Sequence, residues 1–340
     1  MLPKCCCPEC FDDRGLREKI FPTLKPEFGT CSYCGSVKVQ LVEPGALRNL
    51  FEILTNVYES DGEGKTLVEW MKEDWRLFPD DRLDVAHAKE LLAEILDDGE
   101  IVRRSFSPSS AYRSVGLLQW DAFRDELMTR NRWFLDETLD IDRLRELLSH
   151  VLIRGLSDRW YRARVCKGGD DFPLSKMGAP PNQLASHGRA NPAGIPYLYL
   201  GSDAVTAVAE VRPHTGDRVC VAEFEVPGVV AVDLRDPRKC VSPFFLAGAD
   251  EIGQLRADLP LLERLGAELT RPVLPDSAAI DYIPSQYLCE FIKKCGFDGV
   301  VYGSSVSDGI NLALFDPVRA TPKSSEYYHV TKVAIETVRA

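Results

Sequence analysis

No apolar run in this 340-residue chain approaches the roughly 18 to 20 residues needed to cross a bilayer. The opening residues, with Lys4 ahead of a cysteine cluster, do not have the form of a secretion signal. A cytoplasmic protein with no membrane partner is therefore expected. Internal repeats and low-complexity tracts are also missing, which excludes solenoids and compositionally biased tails. So is a glycine-rich turn between a strand and a helix, and its absence removes a dinucleotide site of the dehydrogenase type. A cationic surplus is lacking as well. The net charge is -11, with 29 acidic against 20 basic residues in 1–150 and 23 against 21 in the remainder. That balance argues against nonspecific nucleic-acid binding, which draws on many lysine and arginine contacts to phosphate.

What is present fits an ordinary globular chain. Hydrophobic residues make up 45% and charged residues 27%, and the length allows more than one core. Eleven cysteines without a secretion signal read as thiols and metal ligands. Six fall in the first 34 residues, where Cys7-Pro8-Glu9-Cys10 and Cys31-Ser32-Tyr33-Cys34-Gly35 form two CxxC knuckles separated by 20 residues. Each knuckle offers two thiolates from one tight turn, and four together suit a tetrahedral, structural Zn2+ site. Cys5 or Cys6 could replace Cys7 by a register shift. Cys166, Cys220, Cys240, Cys289 and Cys295 lie in apolar contexts and read as small core residues.

Residues 46–155 carry helical stripes: Leu50, Phe51, Ile53, Leu54 and Val57; then Val85, Ala88, Leu91, Leu92 and Ile95; then Leu144, Leu147, Leu148 and Val151. Asp80 and Asp81 precede the second stripe, and Asp97-Asp98-Gly99 closes it. His87 and His150 read as packed or surface side chains. Near 156 the character shifts to short β-branched runs bounded by turn residues, at Arg218 to Val226, Val229 to Leu234, Gly299 to Tyr302 and Ile310 to Phe315. Ser202-Asp203 can cap a short helix whose Ala204, Ala207, Val208 and Val211 share one face, and Pro284 suits the first turn of another ending near Gly296. The expected class is α+β. A zinc-ribbon-like knuckle pair over 1–45 and a helical domain over 46–155 precede a mixed α/β domain over 156–320 and a tail over 321–340.

Glu210 falls on the flank of the short helix, Tyr197 and Tyr199 alternate onto one strand face, and Ser304 precedes the turn residues Asp308-Gly309. Each has a bland reading taken alone: a solvated acid, a packing aromatic, a turn serine. Together, Trp160-Tyr161-Arg162-Ala163-Arg164, Gly188-Arg189-Ala190-Asn191-Pro192-Ala193-Gly194, Tyr197-Leu198-Tyr199, Ala207-Val208-Ala209-Glu210 and Tyr302-Gly303-Ser304 resemble the RES domain, over roughly residues 155 to 320. Gln286 and Asn311 add to the likeness.

The resemblance implies a fold similar to ADP-ribosyltransferases and an enzyme that degrades NAD+ as a substrate, typically the toxin of a bacterial toxin–antitoxin pair. It implies cleavage of the nicotinamide–ribose bond with phosphate or water as acceptor, by an NAD+ phosphorylase or glycohydrolase. The family's arginine, tyrosine, glutamate and serine fall on Arg189, Tyr199, Glu210 and Ser304, with Arg162, Asn191, Tyr302 and Asn311 expected to bind substrate. A carboxylate beside the anomeric carbon suits an oxocarbenium-like transition state, and a guanidinium fork suits pyrophosphate. Transfer of ADP-ribose to a macromolecule and a catalytically inactive zinc-dependent adaptor remain alternatives. The region before 156 would be a regulatory arm. An antitoxin or regulatory protein and a second copy of the chain are candidate partners.

Overall fold

The protein is described from a computed structural model, which covers residues 3–25, 27–167, 171–274 and 276–334. The helices are α1 Arg48–Thr55, α2 Leu67–Trp75, α3 Val85–Leu96, α4 Gly116–Thr129, α5 Ile141–His150, α6 Ala204–Glu210, α7 Pro237–Cys240, α8 Ala249–Thr270, α9 Ala278–Asp281 and α10 Ile283–Lys294. The strands are β1 Glu27–Thr30, β2 Val37–Leu41, β3 Tyr58–Lys65, β4 Phe106–Pro108, β5 Leu152–Ile153, β6 Arg159–Val165, β7 Leu198–Gly201, β8 Arg218–Glu225, β9 Ala231–Asp233, β10 Gly299–Gly303, β11 Ile310–Leu314 and β12 Thr321–His329. None of the described helices is long and apolar enough to cross a membrane.

The chain forms two compact units that interleave in sequence. One holds residues 1–117 and 236–261, the other 118–235 and 262–340. The linear division at 156 therefore does not describe the packing: α5 and most of α4 belong with the later sheet, and a late segment returns to the first unit.

In the first unit, β1 and β2 make an antiparallel hairpin whose turn carries the second cysteine knuckle, with Gly35 at φ +71°. In the same unit, Phe11, Phe51, Phe78 and Phe244 form a buried aromatic cluster with ring centroids 5.2 to 6.4 Å apart. The α3 stripe buries Ala88, Leu91, Leu92 and Ile95 as its spacing requires, while Val85 stays exposed. Asp84 caps this helix, accepting from the His87 amide at 2.8 Å. Asp80 and Asp81 lie one turn too early for that role, and Asp97 ends the helix in the left-handed region at φ 53°. His87 is exposed and holds Asp84 through Nδ1 at 2.8 Å.

The second unit is built on an eight-stranded mixed sheet in the order β12-β8-β6-β7-β11-β10-β9-β5. Among the described residues, only the β9–β10 pair runs parallel in this sheet. One face buries Trp160, Leu198, Leu200, Ala222, Phe224, Val301, Leu312 and Leu314. The other packs Ala163, Val219 and Val221 against Ala207 of α6. The four strand runs read from the sequence all form. Residues 321–329, expected as a tail, instead form the edge strand β12 against β8. The segment Thr-Pro-Lys-Ser-Ser-Glu carries no apolar alternation because an edge strand buries little. Of the scattered thiols, Cys220 and Cys289 are buried, and Cys166, Cys240 and Cys295 are half-buried.

Candidate active site and metal centre

Antiparallel partners point to the same face of a sheet. Tyr161 of β6 pairs with Gly201 of β7, Gly201 with Asn311 of β11, and Asn311 with Tyr302 of β10. These four residues form a row across four strands, and all four line one cleft of about 220 Å³ with Arg162, Tyr199 and Glu210.

Helix α6 forms the other wall. Asp203 caps it, its carboxylate accepting from the Thr206 amide at 2.8 Å and the Thr206 hydroxyl at 2.8 Å. A Cβ on Gly201 would come within 2.9 Å of the Ala207 amide nitrogen, so glycine is what lets the helix lie this close to the strand. Glu210 ends the helix. Its Oε1 accepts from the Ser304 hydroxyl at 2.7 Å and from Asn311 Nδ2 at 2.6 Å. The acid, the serine and the asparagine, spread over a hundred positions in sequence, thus meet at one oxygen.

Tyr199 presents its ring to the cleft while its hydroxyl is occupied behind it, donating to Asn191 Oδ1 at 2.7 Å and accepting from the Ala190 amide at 2.9 Å. Burial pushes this phenol well above the ordinary tyrosine range. Burial does the same to Tyr302, reinforced by Tyr199 and Glu210 and opposed by Arg189. Both stay neutral hydrogen-bonding groups. Arg162 follows Tyr161, the single position at which β6 pairs with β7, and its Nη1 donates to the Tyr199 carbonyl at 3.1 Å. Burial lowers its pKa to about 10, with Arg164 adding to the effect, so it remains a cation at neutral pH. Its Nε is buried with no partner among the described residues.

Arg189 and Asn191 are not among the cleft-lining residues. The Arg189 guanidinium donates to the Arg271 carbonyl at 2.8 Å and lies 5.2 Å from the Tyr282 ring centre. Asn191 Nδ2 bonds the carbonyls of Ser186, Pro192 and Ile195 at 2.9 to 3.0 Å, so the side chain pins its own loop. Gln286 and Ser285 of α10 hold the same loop through the Gly188 and Arg189 carbonyls at 2.8 and 2.6 Å. His187 and His214 are exposed. Tyr161 was not singled out from sequence. Its place two residues before Ala163, on the face that carries α6, was the available signal.

A sequence model of the RES domain matches residues 159–331, 173 of the 340 positions. The chain belongs to the RES domain family. RES domains are NAD+-cleaving enzymes, and the cleft lies within the matched span. We found no curated protein similar to the chain in sequence. A solved structure, the M. tuberculosis MbcT–MbcA toxin–antitoxin complex, is similar at 15% identity over 55% of this chain and 92% of that one, with a TM-score of 0.33. That likeness is too remote to argue from.

In the first unit, Cys7, Cys10, Cys31 and Cys34 bring their sulfurs within 4.8 Å of one another. The Cys7–Cys10, Cys7–Cys34 and Cys10–Cys31 separations are 4.0, 3.5 and 3.4 Å. These bracket the edge of about 3.8 Å for a tetrahedron of sulfurs about 2.3 Å from a zinc ion. The four could hold a metal. The register is settled by the neighbours: Cys6 pairs its backbone with Val42 and turns its thiol to the Val42 carbonyl at 3.5 Å, and Cys5 directs its thiol to the Pro3 carbonyl at 3.8 Å.

Proposed function

We propose that the second unit cleaves the nicotinamide–ribose bond of NAD+, with Glu210 as the carboxylate that meets the ribose. The observation that carries this reading is Glu210 Oε1 held by Ser304 and Asn311 on the wall of the cleft shared with Arg162, Tyr199 and Tyr302. Two neutral donors fix the direction of the acid without removing its charge, the arrangement needed to stabilise positive charge developing on the sugar. In the reaction the anomeric carbon loses its bond to the pyridinium nitrogen, which keeps the electron pair and departs as neutral nicotinamide. A phosphate or water oxygen then bonds the anomeric carbon, and water gives up its proton to solvent.

The cleft volume is below that of sites enclosing a whole drug-sized ligand, so it suits the nicotinamide–ribose end alone. Tyr199 and Tyr302 offer flat walls there. Arg162, a half-buried cation whose Nε has no partner among the described residues, suits the neighbouring phosphate charge. Arg189 is proposed to position the loop 186–195 and to reach the pyrophosphate only on exchanging its bond to the Arg271 carbonyl. The four cysteines are assigned a structural Zn2+, and the first unit a restraining role in a cytoplasmic toxin-like enzyme with an antitoxin or regulatory partner.

The test uses NAD+ labelled in the adenine, incubated with the full chain with and without inorganic phosphate. ADP-ribose 1-phosphate formed only with phosphate assigns a phosphorylase, and ADP-ribose in both assigns a glycohydrolase. Label recovered on protein or nucleic acid would replace this reading with macromolecular transfer, and intact NAD+ in both would leave an inactive adaptor.

A further inference from the structure

Helix α6 presents Thr206 and Glu210 on one face, because residues four apart stack along a helix. The loop between β10 and β11, residues 304–309, lies along that face and bonds both side chains. At the cleft end the Ser304 hydroxyl accepts from the Val306 amide at 3.2 Å and donates to Glu210 Oε1 at 2.7 Å. About 6 Å back along the helix axis, Ser307 repeats the pattern. Its hydroxyl accepts from the Gly309 amide at 3.3 Å and donates to the Thr206 hydroxyl at 3.1 Å. Thr206 is buried and donates in turn to Asp203 Oδ2 at 2.8 Å, which the Ser202 hydroxyl also reaches at 2.9 Å. Each hydroxyl proton thus has one destination, and the row ending at Thr206 terminates on a carboxylate, the stronger kind of acceptor.

These polar ties locate the loop. None of residues 304–309 is buried, and Ser305, Val306 and Asp308 are exposed, so side-chain packing contributes little. Gly309 lets the loop settle onto the helix, since a Cβ there would lie 1.9 Å from Thr206 Oγ1 and 2.9 Å from Asp203 Oδ2. Ser304 is only half-buried, so water competes for its bond to Glu210. A loop already anchored at Thr206 holds Ser304 against that competition.

We propose that Ser307 is a positioning residue for Glu210. By clamping the loop to Thr206 it keeps Ser304 on Oε1 and so fixes the direction of the carboxylate. This role rests on the assignment of Glu210 as the acid that meets the ribose. Asn311 holds the same oxygen from the sheet, so loss of the clamp slows turnover without abolishing it.

Initial rates of NAD+ loss by the full chain, measured across NAD+ concentration, test this. Ser307→Ala lowers kcat by about 5- to 10-fold and changes KM by less than about 2-fold. Ser307→Thr, which keeps the hydroxyl, recovers most of the rate, and Gly309→Ala, which drives the loop off Thr206, matches Ser307→Ala. In a Ser304→Ala background the Ser307→Ala change has no further effect, because its route to the acid is already cut. Amide hydrogen exchange over 304–309 quickens in Ser307→Ala. Wild-type kcat or unchanged exchange in Ser307→Ala overturns the proposal. So do losses that multiply in the double variant, since the serine would then act on stability alone. In each of these cases a slow Glu210→Gln leaves the assignment of the cleft standing. A Glu210→Gln at the wild-type rate, or a wild type that leaves NAD+ intact, overturns that assignment and this role with it.

Discussion

Tyr199 shows how one side chain serves two purposes. Its ring faces the cleft, and its hydroxyl satisfies Asn191 and the Ala190 amide on the loop behind. Tyr199→Phe strands that amide and that carbonyl oxygen, at a cost of about 1 to 3 kcal/mol for each buried group left unpaired. A fall in the urea midpoint should accompany any loss of activity, and an unchanged midpoint would show that the hydroxyl bonds are not stabilising. Asp13 in the first unit carries a pH signature. Its carboxyl is buried and its pKa is raised to about 6, burial outweighing the Leu16 amide and Ser242 hydroxyl that favour the charged form. An unfolded aspartate titrates near 4. Between about pH 4 and 6 the folded chain therefore binds more protons than the unfolded one, so this group's contribution to stability falls as pH rises through that window. Unfolding of wild type and Asp13→Asn at pH 4 and pH 7 measures it: the wild type should lose ground to the variant at pH 7, and equal differences at both values would contradict the assignment. At this scale the meeting of Glu210 and Ser304 was legible only through the resemblance of the combined motifs, since each residue taken alone reads blandly. The sequence was misleading for Asn191, whose amide turns inward to its loop.

Helix α6 and strand β7 act as one piece, because Gly201 lets the helix backbone approach and Glu210 stands at the far end of that helix. Gly201→Ala places a methyl against the Ala207 nitrogen and should cost about 1 to 3 kcal/mol through displaced packing. NAD+ turnover should drop with it, since the shift is carried to Glu210, while full activity would show that the helix position is not limiting. The capped, one-faced pattern of α6 and the β-branched runs of β8 to β11 made these elements readable in advance. The 22-residue α8 was not read. Its buried stripe of Ile252, Leu255, Leu259, Leu262, Leu265 and Leu269 has helical spacing, but Gly253, Pro260 and Gly266 interrupt it, and Pro260 reads locally as a stop. β12 escaped for the opposite reason, being an ordered edge strand with almost no apolar pattern.

For the whole molecule, the interleaving of the two units changes how the proposed restraint is tested. Removing residues 1–155 would strip α4 and α5 from the catalytic unit and leave 236–261 without the unit to which it belongs. The four-cysteine site offers a cleaner handle. Chelation, or Cys31→Ser, should release about one zinc per chain and lower the melting temperature. If the first unit restrains the second, NAD+ loss should rise on metal removal; an unchanged rate removes the restraint. The central claim is the role of Glu210, and its most direct measurement is the initial rate of NAD+ loss by purified wild type beside Glu210→Gln, with circular dichroism confirming equal folding. Asn311 and Ser304 can still bond the amide, so the geometry survives while the charge does not. The variant should be slower by about 100-fold or more. Equal rates in the two proteins would contradict it.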